Sequence, residues 1–459
     1  MMKDNAKELI RQRFIEPTTL PRTNYIGIEI EMPVVPLRGE KTDQSVSAAA
    51  MKDAAQRFGF TETKHDIFGV CHEAVCEETG DVFSFDCSYN NFEISLGKVR
   101  TLHEAQARFT DYVSYINTFL RERGHLLTGM GINPFYRKND TDFVPSPRYQ
   151  MLEGYLRKSR EWKRDGGFHP YTAYPTFSSA SQVQLDVTED RLCEAIEAFS
   201  LVEPIKALLF ANSYLPDEPD FFCVRDMLWE RSTHGVNPKN LGFFEPLPQT
   251  NDEVIDYLSG VSLFCAEREN KYLFFYPIPF EEYLEREYVE GEYFNGEKYV
   301  KYKFEPSPED IRTLRTYKQI DLTARGTLEF RSACTQPLYD AMTVAAFHLG
   351  LMNQTKALTE LLRNDRYLYQ GGESPYTLRS RFNRKGSLSQ DEQAHLRELA
   401  TAVLLLAQKG LHERGFSEKR YLEPLFRRAT AFTSPAKELI QQLEKGADIH
   451  TVIEQYAKQ

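Results

Sequence analysis

Chemistry-bearing side chains recur on one face of well-separated segments of this chain. In Tyr25-Ile26-Gly27-Ile28-Glu29-Ile30-Glu31-Met32, the apolar residues alternate strictly with Glu29 and Glu31. A period of two predicts a half-buried β-strand with both carboxylates on its polar face. At strand rise they stand roughly 6.6 Å apart. Two negative charges at that distance repel by on the order of 3 kcal/mol at an effective dielectric of about 20, so something cationic should sit over them. The design returns in Phe92-Glu93-Ile94-Ser95-Leu96 and in Thr327-Leu328-Glu329-Phe330-Arg331. Ser181 to Val187 adds Gln182, Gln184 and Asp186 to a polar side.

If these strands share one sheet, Glu29, Glu31, Asp86, Glu93 and Glu329 converge. Five carboxylates with few cationic neighbours suit hard divalent cations, with Mg²⁺ the best fit. Magnesium sites of this kind usually serve phosphate chemistry. A single acidic pair on the open face of an antiparallel sheet is ordinary surface; recurrence in separated segments is what points to a site. The sequence holds no Gly-x-x-x-x-Gly-Lys loop and no dinucleotide fingerprint, so metals and arginines must hold any triphosphate. No Ser/His/Asp or Cys/His arrangement can be picked out from spacing.

The positioning elements follow from periodicity and punctuation. A helix is predicted over 3–15, stopped by Pro17 and Pro21, and another over 45–59, opened by Ser45 and closed by Gly59. Val82 to Ser88 and Phe92 to Leu96 read as a hairpin with Asn90-Asn91 in the turn, Phe83, Phe85 and Cys87 on one side and Asp86 on the other. A long helix over 101–123 ends at Gly124. Pro145 to Tyr149 is read as a loop running into a short helix from Met151 to Leu156. Residues 157–170 are basic and read as a loop. A helix over 189–212 has Thr188 as its expected N-cap. Residues 213–250 are Pro- and Asn-rich and read as a substrate-facing loop region. The acidic stretch 281–310 reads as a solvated excursion or lid, and helices are expected near 338–363, 389–414 and 434–458.

Net charge is −11, which argues against nucleic acid as the main partner. No apolar run is long enough to span a membrane, and the polar first residues carry no leader-like apolar stretch. A cytoplasmic protein is expected. The seven cysteines are scattered and odd in number, which suits reduced, buried thiols. Cys71-His72 and Cys76, with His65 nearby, lack a standard zinc spacing and are read as a peripheral hairpin with small core cysteines.

Six motifs in order resemble the glutamate–cysteine ligases, closest to the plant-type and related bacterial branch. Ile26-Gly27-Ile28-Glu29-Ile30-Glu31 is similar to the family's first metal-binding strand, and Asp86-Cys87-Ser88 before Glu93 keeps its aspartate–glutamate spacing. Pro147-Arg148-Tyr149 with Met151 and Tyr155, Gln182-Val183-Gln184-Leu185-Asp186, Ala207 to Ser213 with Arg225 and Trp229, and Leu328-Glu329-Phe330-Arg331 complete the set. The resemblance runs from about residue 24 to 352. Gln184 stands where the plant-type strand has Asn, and Ser178-Ser179 where relatives have an arginine that belongs to the substrate side.

The resemblance implies an α+β fold. A glutamine-synthetase-like curved antiparallel sheet would be lined by the active site and packed with helices. It implies a catalytic domain over 1–365 with a helical C-terminal extension over 366–459. ATP would activate the γ-carboxylate of glutamate as an acyl phosphate, and the cysteine amine would displace phosphate. Glu29, Glu31, Asp86, Glu93, Gln184 and Glu329 would hold two or three Mg²⁺, with Mn²⁺ able to substitute. Arg331 and Glu93 would be catalytic. Arg148, Tyr149, Ser88, Gln182, Arg225 and Arg331 would contact substrate or ATP. The implied partners are small molecules, with no nucleic acid and no membrane, for a monomer or homodimer. The nearest rival keeps the mechanism but joins glutamate to another amine. A metal-dependent hydrolase or a glycosidase would instead turn over without nucleotide, and a non-catalytic homologue would not need to retain all five carboxylates.

Overall fold

The computed structural model describes residues 2–459, with side chains from residue 5 onward. The first strands in chain order are β1 (Ile26–Pro36), β2 (Thr61–His65), β3 (Cys71–Val75), β4 (Val82–Phe85), β5 (Asn91–Val99), β6 (His125–Leu127) and β7 (Ser181–Asp186). They are followed by β8 (Leu241–Gly242), β9 (Ser262–Arg268), β10 (Lys271–Pro279), β11 (Val289–Phe294), β12 (Tyr299–Phe304), β13 (Tyr317–Lys318), β14 (Ile320–Leu322) and β15 (Thr327–Phe330). Nine of them form one sheet, ordered β14-β15-β7-β1-β5-β4-β3-β2, with β6 also pairing β1. Every pairing in it is antiparallel. A second sheet is ordered β12-β11-β10-β9. The architecture is α+β, as expected.

Alternation decides which face of the large sheet is core. Ile26, Ile28, Ile30 and Met32 are buried, with Phe83, Phe85, Phe92 and Ile94 from neighbouring strands. Helices Gln44–Phe58, Leu102–Glu122 and Leu192–Phe210 supply further members of that cluster. The opposite face is left to the carboxylates.

The structure moves several element boundaries. Asp43, not Ser45, caps the helix Gln44–Phe58, accepting from the Ser45 N–H at 2.9 Å; Gly59 closes it at φ 72°. The helix Pro147–Arg157 begins on Pro147, whose ring pre-sets the first helical φ. Arg148 and Tyr149 therefore lie in a helical turn, not a loop. Thr188 precedes a 3₁₀ turn, Glu189–Arg191, and makes no side-chain cap. Residues 213–250 hold the short helix Val224–Glu230. The acidic 281–310 stretch is largely the hairpin β11–β12, where Glu290 faces Lys303 and Glu292 faces Lys301. Cross-strand opposite charges of this kind support a ladder. The helix expected over 338–363 divides into Thr343–Met352 and Thr355–Arg363, and the last helix breaks around Gly446. Helix Asn251–Ser259, strands β9 and β10, and helices Pro375–Phe382 and Glu423–Ala431 have no counterpart in the sequence reading.

The C-terminal helices share the main hydrophobic cluster through Leu399, Val403, Leu404 and Leu411. Helix Gln390–Glu413 meets helix Thr343–Met352 backbone to backbone at Gly350 and Gly410. A Cβ on Gly410 would lie 1.9 Å from the Gly350 carbonyl oxygen. Gly410→Ala is therefore expected to destabilise the fold by about 1–3 kcal/mol, the usual cost of overpacking. Denaturant titration reads this as a lower midpoint; an unchanged midpoint would contradict this helix contact.

Candidate active site

Register brings the acidic residues together. On antiparallel strands, directly opposed residues share a face. Glu31 opposes Glu93, and Ser84 opposes Glu93 from the other side. Glu29 lies between Gln182 and Ser95. Glu329 lies between Gln184 and Asp321. The polar positions of six strands thus make one continuous acidic surface.

Asp86 reaches it differently. Strand β4 ends at Phe85, and Asp86 sits in the turn that follows. Cys87 adopts φ 60°, a left-handed conformation costly for a residue with a Cβ. That reversal sends the Cys87 side chain into a second cluster with Tyr155 and Tyr174, not beside Phe83 and Phe85 as the alternation predicted. It leaves Asp86 facing the sheet. Ligand oxygens of Glu31, Asp86 and Glu93 all lie within 4.8 Å of one another.

Amides separate the remaining carboxylates. Gln184 Nε2 donates to Glu29 Oε1 at 3.1 Å and to Glu329 Oε1 at 2.6 Å. Gly27, opposite Gln184, leaves room for this reach: a Cβ there would come 3.2 Å from the Gln184 Cβ. Gln182 Nε2 donates to Glu31 Oε1 at 2.9 Å, and the Ala180 N–H to Glu31 Oε2 at 2.7 Å. The Gln182 carbonyl oxygen is buried without a partner.

Burial and mutual repulsion hold protons on these groups. Burial and the charge of Glu329 push Glu29 up to about 7. Burial and Asp86 push Glu31 up to about 8. Asp86 and Glu93 are raised for the same first reason, and Glu93 also faces the charge of Glu29. Burial lifts Asp321 to about 7. The oxygens are thus gathered but under-compensated, which is what a cation site needs.

The surface opens on a cavity of about 1320 Å³. This exceeds the usual volume for a single small ligand, roughly 300–1,000 Å³, and gives room for more than one substrate. Arg331 lines it and donates to Glu329 Oε2 at 2.6 Å. Burial works against the Arg331 charge, but Glu329 and Asp321 outweigh it and keep the guanidinium protonated. Arg148 and Tyr149 line the cavity from the first turn of their helix. Arg225 is buried beside it, donating to the Ala333 carbonyl at 3.3 Å, with its Nε unpartnered.

Two assigned residues are placed otherwise. Ser88 is fully buried in the turn, where its Oγ accepts from the Asn90 N–H at 3.3 Å. It does not line the cavity. Gln184 accepts from Arg325 through its carbonyl oxygen and donates to two carboxylates through its amide nitrogen, so it bridges the site. The hairpin β2–β3 does carry the buried Cys71, as read. Glu62, His65 and Cys71 donors lie within 4.8 Å of one another. His65 Nε2 is however bonded to Glu62 at 2.7 Å, and burial with the Glu62 charge pushes the Cys71 thiol up to about 11.

Residues that spacing did not single out complete the wall. Asp321 lies on the alternating Ile320-Asp321-Leu322, a signal present but short. Arg379 emerges from helix Pro375–Phe382. Its Nε and NH2 donate to Asp226 at 2.8 and 3.0 Å, and its NH1 to Glu203 at 3.0 Å. It thereby ties the helix carrying Arg225 to the C-terminal helices, a long-range pairing with no local sequence signal. Trp229 and Tyr317 stack at 4.8 Å over the fully buried His234.

The fold and site define a mixed helix-and-sheet protein that presents converging carboxylates to a large, arginine-bearing cavity. The model of the glutamate–cysteine ligase family 2 (GCS2) matches residues 25–456, and the chain belongs to that family. The match runs well past residue 352, where the motif resemblance ends. The chloroplastic glutamate–cysteine ligase of Arabidopsis thaliana is 24% identical over 376 residues, covering 79% of this chain and 67% of that protein. The Nicotiana tabacum counterpart is 23% identical over 366 residues, covering 76% and 64%. The chain thus spans about two thirds of the length of these relatives. A crystal structure of the Francisella tularensis glutamate–cysteine ligase in complex with AMP shares the fold at a TM-score of 0.51 and 10% identity, covering 96% of this chain and 89% of that one.

A pH dependence follows from the raised carboxyls. With Glu29 and Glu31 at about 7 and about 8 against an ordinary 4.5, the folded metal-free protein holds more protons than the unfolded chain between those values. Stability contributed by these groups therefore falls as pH rises through that window. Thermal melts in chelator are expected to show a lower Tm near pH 8 than near pH 5.5, with Mg²⁺ restoring it and Glu31→Gln shrinking the difference. A Glu31→Gln protein with an undiminished pH effect would contradict this assignment.

Proposed function

We propose that this chain is an ATP-dependent glutamate–cysteine ligase that makes γ-glutamylcysteine, the first step of glutathione synthesis. Family membership over residues 25–456 supports the reaction class. The observation that carries the site is the convergence of Glu31, Asp86 and Glu93 oxygens within 4.8 Å, beside Glu29 and Glu329. An all-oxygen, anionic donor set fits Mg²⁺. Glu31, Asp86 and Glu93 would hold one ion, with Glu29 and Glu329 available for another. Bound there, magnesium would offset the charge of the nucleotide phosphates.

The chain's own side chains then do the rest. A glutamate γ-carboxylate oxygen attacks the terminal phosphorus of ATP, the bond to ADP breaks, and γ-glutamyl phosphate forms. The cysteine amine attacks the acyl carbon, phosphate leaves, and the proton shed by the nitrogen passes to the released phosphate. Arg331, fixed by Glu329, offers a planar donor fork to the phosphoryl group in transfer. Arg225 and Arg148 are suited to a substrate carboxylate, and the free Gln182 oxygen to an ammonium group. Tyr149 is held at the cavity wall by its hydroxyl, which donates to the Phe85 carbonyl at 3.3 Å. A reducing compartment such as the cytoplasm fits seven free cysteines.

The rival acceptor is tested directly. Phosphate release with ATP, glutamate and a panel of amines, with product identified by mass spectrometry, is expected to show stimulation by cysteine. Stimulation by another amine and none by cysteine would overturn the acceptor assignment and leave the ligase class standing. Arg331→Ala is expected to lower kcat by about 10²–10³ with a smaller change in the glutamate KM. Full turnover by that variant would remove Arg331 from the mechanism.

A further inference from the structure

Arg13, Arg312 and Arg315 all line the active-site cavity. Arg13 lies in the turn Arg11–Ile15, ahead of residue 25, where the family match begins. Arg312 belongs to the 3₁₀ turn Pro308–Thr313, and Arg315 to the connection into β13. Arg13 NH2 donates to the Arg312 carbonyl at 3.3 Å, drawing the two segments together.

Arg13 is half-buried, with the exposed Arg312 and Arg315 beside it. Burial lowers the pKa of Arg13, and the charges of Arg315 and Arg312 lower it further. Among the described residues none of the three forms an ion pair, although neighbouring Arg11 pairs with Asp252 at 2.6 Å. The Arg13 Nε is buried with no acceptor. A buried donor without a partner and clustered like charges are both unfavourable unless an anion arrives.

We infer that Arg13, Arg312 and Arg315 form a subsite for the polyphosphate of the nucleotide. The inference rests on the ligase reading and deepens it. A substrate carboxylate is matched by one guanidinium fork, and Arg225 and Arg148 already supply two. Three further guanidiniums exceed that need and fit a ligand with several anionic oxygens. The same segment is tied to the acidic surface. Thr316, next to Arg315, donates its hydroxyl to Asp321, and Asp321 opposes Glu329 on the sheet. A polyphosphate lying between the metal-bearing carboxylates and these arginines would bring its charge to both.

The test is calorimetric binding of a non-hydrolysable ATP analogue with Mg²⁺ to the full chain and to Arg13→Gln and Arg315→Gln. Arg315 is exposed, so its replacement leaves the packing intact. Each variant is expected to bind the analogue about tenfold more weakly, with the ATP KM raised and the glutamate KM unchanged. Inorganic tripolyphosphate should displace the analogue from the wild-type chain and do so less well from Arg13→Gln. Wild-type affinity in both folded variants, or a raised glutamate KM with unchanged analogue affinity, would overturn the subsite. Binding is read without turnover. A wild-type chain that binds the analogue in an arginine-dependent way but makes no γ-glutamyl product would therefore overturn the ligase reading alone.

Discussion

Glu31 and Glu93 stand directly opposite each other on neighbouring antiparallel strands, the position where like charges most disfavour pairing. The surrounding structure can be understood as a response to that juxtaposition. Asp86 adds a third carboxylate through a left-handed turn that costs strain of its own. The next positions carry amides, so Gln182 and Gln184 donate to carboxylates that would otherwise repel. Without a cation the remaining charge is relieved by protons, as the raised Glu29 and Glu31 indicate. A sheet built for stability alone would not gather five acids on one face.

Cations are kept at the edges of this surface. Arg331 donates to Glu329, on the second strand from that edge of the sheet. Arg225 is held beside it by a carbonyl and not by a carboxylate. A network of buried Arg379 and Glu203 with half-buried Asp226 sits behind Arg225, with Lys206 also bonded to Glu203. Removing one member of such a network leaves an unpaired buried charge, which is strongly destabilising. The C-terminal helices therefore complete the site's supporting shell, in line with a family match that runs to residue 456.

Much of this was legible in the sequence because a strand's period of two exposes which residues share a face. Glu29, Glu31, Glu93, Gln182 and Glu329 were found that way, and all meet on one sheet face. Asp86 was also named, but as a strand residue. Its true position depends on the φ of Cys87, which alternation does not encode. Ser88 and Gln184 take their expected roles from the motif resemblance; in the structure Ser88 is buried in its turn away from the cavity, and Gln184 lies between two carboxylates and Arg325. Arg379 and Arg13 had no local signal, because their partners lie more than a hundred residues away in sequence. The hairpin β11–β12 reads as a solvated acidic run because the lysines that oppose its glutamates sit on the partner strand, out of local sequence view.

If the site works as proposed, the gathered oxygens hold a divalent cation. Anomalous diffraction from crystals grown with Mn²⁺ and a non-hydrolysable ATP analogue tests this directly. The expected result is a manganese peak coordinated by Glu31, Asp86 and Glu93, lost in Glu93→Gln. Nucleotide bound in the cavity with no metal on those three carboxylates would contradict it.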